Sequence, residues 1–114
     1  MSAVANEARR WYWQRISAMV LTLCVLVHLA VIIFAVRGGL SANEILGRTR
    51  DNWGFAIFYA VFVLASAVHV PIGLARTAEE WWNMSPRLAL NASRCVAVLL
   101  AVLGLRAVYA VVWA

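Results

Sequence analysis

The chain has only two imidazoles, His28 and His69, and each sits inside a long apolar stretch. An ionisable ring in hydrocarbon is expensive, so such residues mark functional sites by default and face a bundle interior or cavity. Neutral imidazole serves as an axial ligand of haem iron, and helical bundles build such sites between facing helices. The competing reading is a hydrogen bond across a helix interface, with no cofactor. From spacing alone, both readings stand for both histidines. Arg106 is the third anomaly, because it lies in an apolar stretch and no such stretch contains an acid. Its guanidinium needs an external counter-charge, such as a haem propionate, or must snorkel to the headgroups.

The elements that position these residues follow from composition. The chain is 65% apolar and 13% charged, against about 45–50% and about 25% in soluble domains. A membrane span needs roughly 20 mostly apolar residues, and the stretches 14–36, 54–75 and 95–114 qualify. The connectors are too short for a soluble domain. The expected fold is therefore all-α: one membrane domain over 1–114 with three transmembrane helices, part of a bundle that a second chain completes.

Residues 1–10 read as a polar tail, followed by Trp11, Tyr12 and Trp13 at a headgroup layer. Arg37-Gly38-Gly39 ends the first helix, and Ser41 with Glu44 has the spacing of a capping box, which predicts a short surface helix through Gly47. Pro71 predicts a local kink, and Ser85-Pro86-Arg87 a turn. The first apolar run is too long for a cleavable signal and lacks its cleavage motif. Cys24 and Cys95 both fall within spans and read as small packing residues.

The net charge of +5 comes from ten arginines, without lysine, against five acids. Basic flanks of this kind reflect topology and lipid headgroups. No basic and aromatic stripe lies outside the membrane to stack bases, which excludes nucleic acid as a partner. Arg9, Arg10, Arg15, Arg76, Arg87 and Arg94 fall in the tail and second loop, while Arg37, Arg48 and Arg50 fall in the first. The expected N-terminus is cytoplasmic and the C-terminus external.

Depth follows from helical rise. His28 lies roughly 20 Å beyond Arg15, His69 roughly 10 Å before Arg76, and Arg106 roughly 18 Å past Arg94. Imidazoles offset by about 10 Å cannot share one iron. They suit two haems, each needing a second ligand from another chain. Ala65, Gly73 and Cys24 stand four residues from a histidine, and small neighbours would let a flat macrocycle approach the backbone.

Three segments carry a family resemblance. Gln14-Arg15-Ile16-Ser17-Ala18, His69-Val70-Pro71-Ile72-Gly73-Leu74-Ala75-Arg76 and the pair Glu80-Trp81 resemble the cytochrome b membrane anchors of succinate dehydrogenase (succinate:quinone oxidoreductase, complex II). The first is similar to that family's His-Arg-x-Ser-Gly opening, and the second to its His-x-x-x-Gly-(Ile/Leu)-Arg run. The resemblance implies that His69 ligates the haem b nearer the cytoplasm, with Arg76 close to its propionates. It implies that Arg15 belongs to a quinone pocket beside the iron–sulfur subunit, with Ser17 nearby and Trp11 where single-haem relatives carry serine. His28 matches the first-helix histidine of two-haem members, which ligates the outer haem. Gln14 replaces the family's histidine and Ala18 its glycine.

The implied partners are a flavoprotein subunit, an iron–sulfur subunit, a second membrane anchor, quinone and the lipid bilayer, and the implied location is a bacterial inner membrane. The chain carries no dehydrogenase chemistry of its own, having no dinucleotide fingerprint, carboxylate pair or nucleophile–base set. Rival expectations are the anchor of a fumarate reductase or other quinone-linked dehydrogenase, and a haem-free structural subunit.

Overall fold

The computed structural model describes residues 3–113, so Met1, Ser2 and Ala114 of the expected single domain lie outside the described residues. Among the described residues the fold is all-helical, with α1 at Ala3–Gly38, α2 at Ala42–Thr49, α3 at Trp53–Trp81 and α4 at Pro86–Val112. Helices α1, α3 and α4 are each long and apolar enough to cross a membrane.

Two expected boundaries move. The polar tail is helical from Ala3, because Ala3, Ala5 and Ala8 favour helix and its charges need not interrupt one. The 36 residues of α1 span about 54 Å, longer than a bilayer core. The third span also starts earlier: Ser85 caps α4 by accepting a hydrogen bond from the Leu88 amide at 3.3 Å, and Pro86 takes the first helical position. Arg87 and Arg94 thus sit on a helix, where the sequence suggested a loop.

The ends of the remaining helices are well satisfied. Gly39 adopts φ +115°, a left-handed conformation that glycine accepts without strain, and its amide bonds the Ala35 carbonyl at 2.8 Å. Ser41 accepts from the Glu44 amide at 3.2 Å, as the capping-box spacing predicts, and α2 forms. Its far end closes on α4, where the Thr49 hydroxyl donates to the Val111 carbonyl at 2.7 Å. The Asp51 amide donates to the Val112 carbonyl, also at 2.7 Å. Carbonyls that a helix C-terminus would otherwise leave unpaired are satisfied in this way. Helix α3 continues through Pro71 to Trp81.

Helix α3 lies in the middle, packed by α4 on one side and α1 on the other. Small side chains make the α3–α4 contact. Ala75, Ala78 and Ala89 cluster near one end, and Ala56, Val108 and Val112 near the other. At Gly104 the Val63 side chain packs so closely on the α4 backbone that a Cβ would lie 2.5 Å from Val63 Cγ1. Without a hydrophobic force between helices in lipid, close approach of small residues supplies the packing. Along α1, Gln14, Ser17, Leu21, Cys24 and His28 alternate steps of three and four and turn toward α3, with Ser17 and Cys24 buried.

Candidate functional site

His69 sits where α1 crosses α3. Its Nδ1 lies 3.4 Å from Ser17 Oγ, and that hydroxyl lies 3.1 Å from the Gln14 carbonyl oxygen. The ring lines an apolar groove of about 350 Å³, walled on the α1 side by Ala18, Leu21, Thr22, Val25 and Leu26.

His28 sits further along the same seam. Its ring meets Tyr59 and Phe62 edge-on, with centroids 5.9 and 5.7 Å away. Its Nδ1 is buried and has no hydrogen-bond partner among the described residues. It borders a second cavity of about 380 Å³, shared by Thr49 of α2, Tyr59 and Val63 of α3, and Gly104 and Val111 of α4. His28 meets Tyr59 and Phe62, which lie ten and seven residues before His69 on α3, so the two imidazoles are separated by roughly 10–15 Å along the bundle. The offset expected from the flanking arginines is present.

Trp11, Arg15, Ala18, Thr22 and Val25 recur on one flank of α1. The His69 groove opens on that flank, and the same side of α3 carries Tyr59 and Phe62 beside His28. One face of the three-helix layer therefore holds both histidine sites.

At the end of the layer nearer His69, a cleft of about 160 Å³ is lined by Arg10, Trp11, Gln14, Ile72 and Arg76. Arg15 lies over the Trp11 ring at 5.2 Å from its centroid, a cation–π arrangement. The Gln14 Oε1 is buried without a donor among the described residues. Arg76 bonds Glu7 at 2.9 Å, and Glu7 also faces Arg10 at 3.7 Å. Sequence reasoning missed Glu7 because a non-helical tail would not carry it to α3. Its only signal was the alanine-rich context that extends α1.

The structure does not gather every expected site residue. Ser17 is buried against His69 and faces away from Arg15 and Trp11. Arg106 is exposed and sits two residues from both Gly104 and Val108, which pack on α3, so it lies on the outward side of α4 away from the His28 cavity. Among the described residues it has no ion partner. The small residues near the histidines serve helix packing. Cys24 is buried in the seam, and a Cβ on Gly73 would lie 3.2 Å from the Gln14 amide nitrogen. Cys95 is exposed on α4 of the single chain.

A haem needs an imidazole with an open ring nitrogen beside a flat apolar wall. The His69 groove fits on both counts: Nδ1 is taken up by Ser17 while Nε2 makes no hydrogen bond among the described residues, and the walls are mostly aliphatic. Among the described residues no three metal-ligating side chains converge, so each histidine is a single donor. Comparison with known protein families, characterised proteins and solved structures returns no match.

Proposed function

We propose that this chain is a haem-b-binding membrane anchor of a succinate dehydrogenase, carrying electrons between an iron–sulfur subunit and membrane quinone. The observation that supports it most is the presence of two intramembrane imidazoles on one face, roughly 10–15 Å apart along the bundle. A second anchor chain against that face would supply the remaining ligands. Bound haem would supply one-electron transfer.

This chain's own residues have distinct parts. His69 and His28 would hold the haem iron. Arg76, already beside one carboxylate, suits a propionate. Trp11 and Gln14 border the cleft where a quinone ring would bind, and Arg15, stacked over the Trp11 ring, would stabilise negative charge developing on a quinone oxygen. The reading places the protein in a bacterial inner membrane with its N-terminus cytoplasmic. A fumarate reductase anchor would use the same parts, and the substrate of the partner flavoprotein separates the two.

One observation favours a narrower reading with a single haem. His28 is clasped by Tyr59 and Phe62, and among the described residues its Nδ1 has no acceptor to orient it. A packing role would account for that cage.

The experiment is purification through a tag on this chain, followed by identification of the co-purifying subunits and assay of succinate-dependent quinone reduction. A flavoprotein, an iron–sulfur protein and one further membrane chain are expected. Isolation of this chain alone, with neither haem nor dehydrogenase partners, would contradict the proposal.

A further inference from the structure

The contacts of Ser17 carry an inference that rests on the haem reading and deepens it. Ser17 is 4% exposed in the α1–α3 seam, and its hydroxyl touches the Gln14 carbonyl oxygen and His69 Nδ1. A hydroxyl has one proton to give and lone pairs to accept with. A carbonyl oxygen only accepts, so the Gln14 contact uses the Ser17 proton. The His69 contact is then a hydrogen bond only if Nδ1 brings its own proton. The reverse arrangement, Ser17 donating to Nδ1, would leave two oxygens 3.1 Å apart with no proton between them.

We propose that Ser17 is a positioning residue that holds His69 as the Nδ1-protonated tautomer, so that Nε2 keeps its lone pair and is the iron-binding atom. Neutral imidazole has one N–H, and fixing it on Nδ1 fixes the free pair on Nε2. Metal-bound histidines commonly donate their other N–H to an acceptor, which orients the ring and raises its basicity. Here that acceptor is a hydroxyl whose own proton points into the α1 backbone, so the bonds run in one direction from His69 through Ser17 to Gln14. His28 lacks such an acceptor among the described residues. The assignment takes Ser17 out of the quinone pocket, where the family resemblance would place it.

The test uses the complete purified complex and reads the haem midpoint potentials and the low-spin ferric EPR signals in wild type, Ser17→Ala and Ser17→Thr. Removing the acceptor weakens the imidazole as a donor to ferric iron, so Ser17→Ala should raise the potential of one haem and shift its EPR signal. Ser17→Thr, which retains the hydroxyl, should restore both. If Ser17→Ala does not assemble, Ser17→Cys, with its weaker acceptor, replaces it and should shift the same haem. Unchanged potentials and EPR signals in a haem-containing complex, with a raised KM for quinone, would overturn the proposal and return Ser17 to the quinone site. A wild-type complex without haem would instead overturn the functional reading itself, and the positioning role with it.

Discussion

A single hydroxyl distinguishes the environments of the two histidines: Ser17 meets His69 Nδ1, while the same atom of His28 is buried with no partner among the described residues. If both bind iron, His69→Gln and His28→Gln should each remove one haem, since glutamine keeps a polar terminus but offers no imidazole. Pigment extraction from each purified variant, normalised to this chain, checks it. Retention of full haem in both variants would rule out either residue as a ligand. The two imidazoles were legible in the sequence because a polar ring in an apolar run stands out locally. The Ser17 contact was not, because it depends on the register of α1 against α3, and residues 52 apart leave no local pattern. Arg106 illustrates the converse. Its depth was legible, but the side of α4 on which it lies was set by packing at Gly104 and Val108.

Helices α3 and α4 are held together through small side chains, and at Gly104 the Val63 side chain leaves no room for a Cβ. Gly104→Val forces the helices apart or Val63 out of place. Overpacking of this kind costs about 1–3 kcal/mol, so the variant should melt at lower temperature in detergent, with Gly47→Val as control because nothing lies within 4 Å of a Cβ there. The N-terminal extension of α1 is held differently, by the exposed Glu7–Arg76 pair. Pairs of that kind contribute about 0–1 kcal/mol. Glu7→Gln should leave the melting temperature nearly unchanged while speeding amide exchange in the first turns of α1. The cap at Ser41 was legible from residue type and spacing, because it acts within its own turn, whereas Ser85 read as a turn and in fact caps the earlier start of α4. The extended start of α1 was hidden by charges that the helix simply carries past the headgroups.

At the scale of the whole molecule, the central place of α3 brings both histidine sites to one face and the arginine-flanked cleft to one end. Three helices were legible from hydropathy, which depends on composition alone. Their order across the layer was not, since three apolar cylinders pack in several ways and only contacts such as Gly104 against Val63 select among them. The Glu7–Arg76 pair puts the start of α1 and the end of α3 on the same side of the membrane, and with the arginine asymmetry that side should be cytoplasmic. A C-terminal alkaline phosphatase fusion should therefore be active and a C-terminal green fluorescent protein fusion dark, and the opposite pair of signals would reverse the topology. The central claim is met most directly by a dithionite-reduced minus oxidised spectrum of the purified complex, with haem counted per copy of this chain. The account predicts b-type bands and two haems per copy, and a complex without haem would contradict it.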